Sequence, residues 1–433
     1  MYLFIKAKIR LKSNKENSLL QQQLEYVIEN SSFYQNILCE FISNSGNIIS
    51  SFYDFPFTTK REIIADQKVN GPYGSNLCVD IKQIKRIHKT SGTTGRPVII
   101  TYTDQDIAHT IKAGAKCFAS SGLTSSDVVI HCLNYNMWAG GFTDHQSLEA
   151  TGAAVIPFGV GNSKNLIETI LTIQPTAIHC TPSYLSKLEL ILKTDFNLQP
   201  SDLSLKLGLF GAEPGIQDEV FRKNIEQKWK IKAMNANYGM SDVLSMFGGE
   251  CSKQCGLHFM ANDVLLPELL DTKIMKIIPV ESGVEGELIL TNLCKEAQPL
   301  IRYRTNDIIK IISTEECNCG ESGFRFEVIG RSDDMFTIKG VNIFISGIQN
   351  ILNSYNDEIT SVYQVHINKT EPVSNILIKL ELRNESDIDT NSFKDRFIEK
   401  FKATTGIKPD LHLTDEGALP RTEGKSKILF RSL

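Results

Sequence analysis

No stretch of this 433-residue sequence approaches the roughly 20 apolar residues that a membrane-crossing helix needs. The first residues, Met1-Tyr2-Leu3-Phe4-Ile5-Lys6, are a short apolar run with charges close behind, and no small-residue cleavage site follows. No signal peptide is therefore expected. Positive charge is not in excess: 46 Lys and Arg stand against 50 Asp and Glu. The net charge of −4 argues against the basic face of a nucleic-acid binder. Neither an internal repeat nor a low-complexity tract is found. Cysteine is plentiful, ten residues, but their spacing in so long a chain is irregular outside two clusters, which excludes a small disulfide scaffold. A reducing, cytoplasmic compartment is expected. The chain is also too long for one compact core, so at least two domains are expected.

Apolar periodicity supplies the architecture. Residues 16–42 carry Leu19, Leu20, Leu24, Val27 and Ile28 on one stripe, which predicts a helix; Pro56, Thr58, Thr59 and Lys60 then mark an ordered loop. From about residue 104 helical stretches alternate with short apolar runs: Val128–Leu133, Ala153–Phe158, Ala177–Cys180 and Leu205–Phe210. Each has the length of a buried strand, and the alternation predicts a mostly parallel sheet covered by helices. The runs end in Asn134-Tyr135-Asn136, Gly159-Val160-Gly161, Thr181-Pro182-Ser183 and Gly211-Ala212-Glu213, so polar and glycine residues collect along one edge, where ligands of such sheets sit. Beyond about residue 332 the texture changes. Ile376, Ile378, Leu380 and Leu382 alternate as in a half-exposed strand, and Phe393, Phe397 and Phe401 share one helix face. The fold class expected is α/β: a large N-terminal domain over residues 1–332 with helix-covered, mostly parallel sheets, and a small mobile α+β domain over 333–433.

One segment concentrates chemistry. Thr90-Ser91-Gly92-Thr93-Thr94-Gly95-Arg96-Pro97 holds two glycines, four hydroxyls and a guanidinium. Glycine lets backbone N–H groups approach phosphate oxygens, hydroxyls donate further hydrogen bonds, and Arg96 adds a fixed positive charge. The loop lies between Ile84–Lys89 and Val98–Tyr102, a predicted hairpin. No Gly-Lys-Ser/Thr opens a helix here, so this is no Walker loop.

This segment resembles the phosphate loop of the adenylate-forming superfamily: acyl-CoA synthetases, luciferase and peptide-synthetase adenylation domains. Other segments resemble that superfamily in the same order. Gly211-Ala212-Glu213-Pro214 is similar to the adenine-contacting segment, and Asn237-Tyr238-Gly239-Met240-Ser241-Asp242 to the aromatic-Gly-x-Ser/Thr-Glu motif, with Asp in place of Glu. Tyr303-Arg304-Thr305-Asn306-Asp307 resembles the ribose-holding segment, Gly330-Arg331-Ser332-Asp333-Asp334 the interdomain hinge, and Gly424-Lys425 the catalytic-lysine motif. More narrowly, Ser32-Phe33-Tyr34, Pro56-Phe57-Thr58-Thr59-Lys60, Pro299-Leu300-Ile301-Arg302-Tyr303-Arg304, Gly340–Phe344 and Leu419–Lys425 resemble the phenylacetate–CoA ligase branch.

The resemblance implies ATP-dependent activation of a carboxylate as acyl-AMP with release of pyrophosphate, then transfer to a thiol. A carboxylate is a poor electrophile because its leaving group would be oxide; AMP is a good leaving group. Attack of one anion on another requires charge neutralisation. The resemblance assigns that to Mg²⁺ near Asp242, to Arg96 with the Ser91-Gly92-Thr93-Thr94-Gly95 amides, and to Lys425. Asp307 and Arg331 would stay near the ribose. Asp333 would be the hinge about which the small domain rotates between half-reactions. The acceptor is coenzyme A or the phosphopantetheine of a carrier protein; nucleotidyl transfer onto a non-carboxylate substrate is the reading from another class. No nucleic-acid or membrane partner is expected, and a homodimer is left open.

Two further sets stand out. Cys251 and His258, with Cys317 and Cys319 about sixty positions later, offer three thiolates and an imidazole, a tetrahedral set suited to a structural Zn²⁺, with Cys255 as the substitute. Tyr135, Trp138, Phe142, Phe210 and Tyr238 are candidate walls of a flat acyl pocket, together with Gly140 and Gly141, which lie in the pocket-lining stretch of the family. His131, His145 and His179 would add polar contacts, and an aromatic acid is the expected substrate.

Overall fold

The computed structural model describes residues 14–43, 48–90, 97–321, 323–338, 341–368, 373, 375–384, 389–420 and 428–431. The chain divides into two compact units, Met1–Gly159 with Met234–Glu327, and Val160–Ala233 with Val328–Leu433.

The first unit opens with two helices, Asn14–Asn30 and Ser32–Ser43, where the apolar stripe predicts one. The break is at Ser31. Its hydroxyl accepts the Tyr34 N–H at 3.3 Å, an N-cap interaction, and donates to the Ser75 carbonyl at 3.2 Å. A second correction follows at Lys60, which begins the helix Lys60–Val69 rather than lying in a loop. Thr59 and Glu62 form the capping box that starts it. Leu20, Leu24, Val27, Tyr34, Leu38, Phe52 and Phe55 then pack with Leu266, Leu293 and Ile301 into one apolar cluster.

The predicted hairpin forms, with Arg86–Lys89 antiparallel to Ile99–Tyr102. Val128–His131 pairs in parallel with Ala154–Pro157, and the helix Ala139–Glu149 lies between them in the chain. After Lys232 the pairing changes. Strands Lys276–Ile278, Leu265–Asp271, Glu285–Asn292, Tyr303–Ser313, Arg325–Arg331, Leu257–Phe259, Leu244–Glu250 and Lys232–Met240 lie side by side in that order. Their recorded registers are antiparallel. Within this unit the parallel strand pair lies in the stretch where strands alternate with helices, as crossover connections require.

In the second unit Ala177–Cys180, wholly buried, pairs in parallel with Leu207–Gly211. Farther along the chain Met335–Ile338 and Val341–Phe344 form an antiparallel pair. A four-stranded sheet follows, in the order Asp410–Thr414, Ile376–Leu382, Ile359–Ile367, Leu429–Arg431. Ile376, Ile378 and Leu380 face its core, and Leu382 packs at the margin. Helix Thr390–Thr405 covers that core with Phe393, Phe397 and Phe401, all fully buried. This is the α+β texture that the change in periodicity predicts.

Candidate functional site

Ser91, Gly92, Thr93, Thr94, Gly95 and Arg96 of the phosphate-loop expectation, and Lys425, lie outside the described residues. The base of the loop is described. The Thr90 N–H donates to the Val98 carbonyl at 3.0 Å, and the Val98 N–H donates to the Thr90 hydroxyl at 3.0 Å. The two ends of the glycine-rich segment are therefore pinned together at the end of the hairpin.

In the first unit the segment Asn237–Asp242 is built around a close approach. A Cβ on Gly239 would stand 2.0 Å from the Ser245 carbonyl oxygen, so no other residue fits there. Tyr238 packs its ring against Phe247 and Phe326, centroids 5.1 and 5.4 Å away, and donates its hydroxyl to Asp307 Oδ2 at 2.7 Å. Two segments 69 positions apart, predicted to serve one nucleotide, are thus joined directly. Asp307 is buried, and its N–H donates to the Thr305 hydroxyl at 3.0 Å. Arg304 of the same segment forks onto the buried Glu287 at 3.0 and 2.7 Å. The Ser241 carbonyl accepts the Tyr102 hydroxyl at 3.1 Å, and the Asp242 carbonyl accepts Lys295 Nζ at 3.1 Å. The Asp242 carboxylate itself takes Lys60 Nζ at 3.3 Å, with 10% of the Asp242 side chain exposed. Lys60 is a residue for which sequence reasoning assigned no role. Its local signals were its place at the end of the segment 56–60 and the capping box that starts one residue ahead of it.

Tyr135, Trp138, Gly140 and Gly141, expected at an acyl pocket, surround the start of helix Ala139–Glu149, which follows strand Val128–His131. Trp138, half-buried, is its N-cap residue. Met137 holds a left-handed φ of 58°, and its carbonyl accepts the Lys89 N–H at 3.0 Å. A Cβ on Gly141 would stand 2.0 Å from the Asn134 carbonyl oxygen. Above this turn the Tyr135 hydroxyl and His145 Nδ1 are hydrogen-bonded at 3.0 Å, and His145 Nε2 meets Glu149 at 3.2 Å. The Tyr135 ring lies edge-on to His131, Phe142 and His145, with centroids 5.2, 6.4 and 6.0 Å away. Phe142, 43% exposed, stacks on His145 and carries the Arg86 guanidinium 4.6 Å from its centroid. His131 donates from Nε2 to the Gly141 carbonyl at 2.8 Å, and burial holds its pKa down to about 4, so it is neutral at pH 7. Behind the turn Asp144, absent from sequence reasoning, accepts Asn237 Nδ2 at 2.5 Å. Burial pushes its carboxyl well above the usual range, against the hydrogen bonds from Asn237 and Ser245.

In the second unit Gly211, Ala212, Glu213 and Pro214 follow strand Leu207–Gly211. Ala212 has a left-handed φ of 65°, and Glu213 accepts the Ser183 hydroxyl at 2.6 Å. The ends of two neighbouring strands therefore meet, as the polar edge predicts. Phe210 and His179 are fully buried core residues of this unit. Arg331 forks onto Asp333 at 2.8 and 2.9 Å, which joins the expected ribose contact to the expected hinge.

The sulfur-rich set also assembles. Cys251 follows strand Leu244–Glu250, His258 lies on Leu257–Phe259, and Cys317 opens a turn closed by the Gly320 N–H. Donor atoms of Cys251, Cys255, His258 and Cys317 lie within 4.8 Å of one another. Cys255 is 3.7 Å from both Cys251 and Cys317, near the roughly 3.8 Å edge of a tetrahedral zinc–thiolate site. Cys319 Sγ stands 3.8 Å from His258 Nε2, and His258 Nδ1 is buried with no hydrogen-bond partner among the described residues. Cys255, the substitute in the sequence reading, is thus part of the tight group, and Cys319 lies beside it.

The chain is similar to known proteins over most of its length. The family model for AMP-binding enzymes matches residues 57–292, and that for the AMP-binding enzyme C-terminal domain matches 340–431. The phenylacetate-coenzyme A ligase of Escherichia coli K12 is 31% identical over 388 residues, 88% of this chain and 85% of its own. That of Pseudomonas putida is 30% identical over 414 residues, 94% and 91%. Among solved structures, 2-hydroxyisobutyryl-CoA ligase in complex with 2-HIB-AMP superposes with a TM-score of 0.86 at 24% identity, over 96% of this chain and 89% of that one, a likeness of fold. Among the described residues no helix is long and apolar enough to cross a membrane. With both family models matched and Tyr238 bonded to Asp307, the chain belongs to the AMP-binding enzyme family and is an AMP-forming acid–thiol ligase.

Proposed function

We propose that the acid is aromatic and that the acceptor thiol is coenzyme A. The observation that carries the reading is the ring cluster of Tyr135, His131, Phe142 and His145 at the start of helix Ala139–Glu149: flat ring faces and edges of the kind that receive a planar group. The related phenylacetate ligases support the same choice. Ser91–Gly95 and Arg96 bind the phosphates, Gly211–Pro214 the adenine, and Asp307 and Arg331 the ribose. Asn237–Ser241 shape the floor, and Lys425 neutralises charge on the attacking and attacked oxygens. Mg²⁺ fits beside Asp242, whose carboxylate already draws a cation, Lys60. When bound it would offset phosphate charge. Residues 333–433 are read as the mobile domain that brings Lys425 in, with Asp333 as its pivot. A reducing cytoplasm belongs to the reading because the thiol cluster must stay reduced. Acid-dependent ATP–pyrophosphate exchange across aromatic and aliphatic acids tests it, followed by thioester formation with CoA or with a carrier protein. Exchange with aromatic acids and a CoA thioester are expected. Preference for aliphatic acids, or acyl transfer only to carrier protein, would sink it.

Cys251, Cys255, His258 and Cys317, with Cys319 alongside, are proposed to hold one structural Zn²⁺. A closed four-ligand site leaves no open position for chemistry. Protein purified without added metal should contain zinc close to one per chain by elemental analysis. Cys317→Ser should lose the zinc and unfold at lower temperature, because metal affinity is folding free energy. Fully stable protein with no zinc would refute the site.

A further inference from the structure

Asp144 is 1% exposed, and its Oδ1 has no hydrogen-bond partner among the described residues. A buried carboxyl without a cation is costly, so its retention asks for a reason. The groups that hold it are the Asn237 amide and the Ser245 hydroxyl, and neither is charged. Its place narrows the reason. A Cβ on Gly140 would come 3.4 Å from Asp144 Oδ2, so the carboxyl lies beside Gly140, which the reading above places at the acyl pocket. Asn237, half-buried, precedes Tyr238 on one strand, and neighbours on a strand project to opposite faces. Tyr238 reaches Asp307 on one side, read as that of the nucleotide, while Asn237 reaches Asp144 on the other. With one Nδ2 hydrogen committed to Asp144, Asn237 keeps its second amide hydrogen and its carbonyl Oδ1, whose orientations Asp144 fixes; together with Asp144 Oδ1, which has no partner among the described residues, acceptors outnumber donors in the pair.

We propose that Asn237 is a specificity-determining residue of the acyl pocket, held by Asp144 as its positioning residue, and that the pair selects aromatic acids bearing a hydrogen-bond donor, a hydroxyl or an amino group. The proposal rests on the ligase reading above and narrows its substrate class. It also moves Asn237 from the nucleotide to the acid. An unsubstituted ring leaves the Asn237 acceptor desolvated and unpaired, which is the source of discrimination.

Exchange of pyrophosphate into ATP is measured with benzoate, phenylacetate and their ring-hydroxylated and ring-aminated derivatives. At least one substituted acid should exceed its parent in kcat/KM by roughly 10- to 100-fold. Asn237→Leu should bring that ratio towards one. Asp144→Leu should do the same although Asp144 is buried, and Asp144→Asn, which keeps an acceptor oxygen for the Asn237 amide, should restore it. That restoration separates positioning from general damage, and if Asp144→Leu does not fold, Asn237→Leu and Asp144→Asn still read the ratio. A wild-type preference for the parent acids, or a ratio untouched in Asn237→Leu, overturns the proposal while the ligase reading stands. No exchange with any acid overturns that reading and this one with it.

Discussion

Replacing Lys425 by Ala should slow acyl-AMP formation by roughly 10²–10³-fold, the scale on which a single preorganised electrostatic contact is lost. The carboxylate that attacks and the α-phosphate that is attacked are both anionic, and negative charge concentrates on their oxygens as the bond forms. A lysine ammonium supplied at that moment lowers the barrier without binding the separated reactants equally well. The second half-reaction has a different need, because acyl-AMP already carries a good leaving group and the thiol is the nucleophile. Thioester formation from supplied acyl-AMP should therefore survive in Lys425→Ala. Single-turnover assays of each half-reaction make the comparison. Equal damage to both would refute the division of labour between two poses of residues 333–433.

Local patterns were legible where one period dominated. Ala177–Cys180 is buried at all four positions, and Phe393, Phe397 and Phe401 all face the core, because strand and helix periods were uninterrupted there. The break at Ser31 was not legible from periodicity, because the apolar positions run through it. Leu20, Leu24 and Val27 lie on one side, Tyr34 and Leu38 on the other, and all join one cluster. Only the capping hydroxyl of Ser31 marks the boundary. The capping box of Thr59 and Glu62 was in the letters too, but it competes with the loop signal of Pro56.

Motif letters gave the candidate site its expected residues and left out their partners. Tyr238 and Asp307 were each expected at the nucleotide, yet nothing local says that one bonds the other. Lys60 meets Asp242 across 182 positions, and Asn237 meets Asp144 across 93. Such pairs are products of strand order, which periodicity does not encode. The thiol cluster is intermediate. Cys251 and Cys255 are four apart and readable as a pair, whereas Cys317 joins them through the register of Arg325–Phe326 against Leu257–His258.

Arg302→Ala should destabilise the protein by about 3–5 kcal/mol, the cost of leaving one partner of a buried ion pair alone. Arg302 and Glu268 are 3% and 1% exposed at their side chains, and the guanidinium forks onto the carboxylate at 3.2 and 3.1 Å. The remaining nitrogen donates to the Tyr53 and Phe55 carbonyls at 2.9 and 2.6 Å, and Phe57 lies 4.5 Å from the guanidinium carbon. The Arg302 carbonyl accepts the Thr58 N–H at 3.0 Å, and the Thr58 hydroxyl donates to the Ile301 carbonyl at 2.7 Å. Tyr34 closes the set by accepting the Ile301 N–H at 2.9 Å. Three segments singled out separately in the sequence, around Tyr34, Phe57 and Arg302, are thus one knot, and it anchors the chain five positions before Asp307. Loss of the guanidinium strands Glu268 and two carbonyls at once. Tm should fall by roughly 6–20 °C. The double change Arg302→Met with Glu268→Met should recover much of that loss, since an apolar pair leaves no buried charge unpaired. A single Arg302→Ala variant melting within about 2 °C of the parent would mean that the knot is held by backbone hydrogen bonds and packing alone.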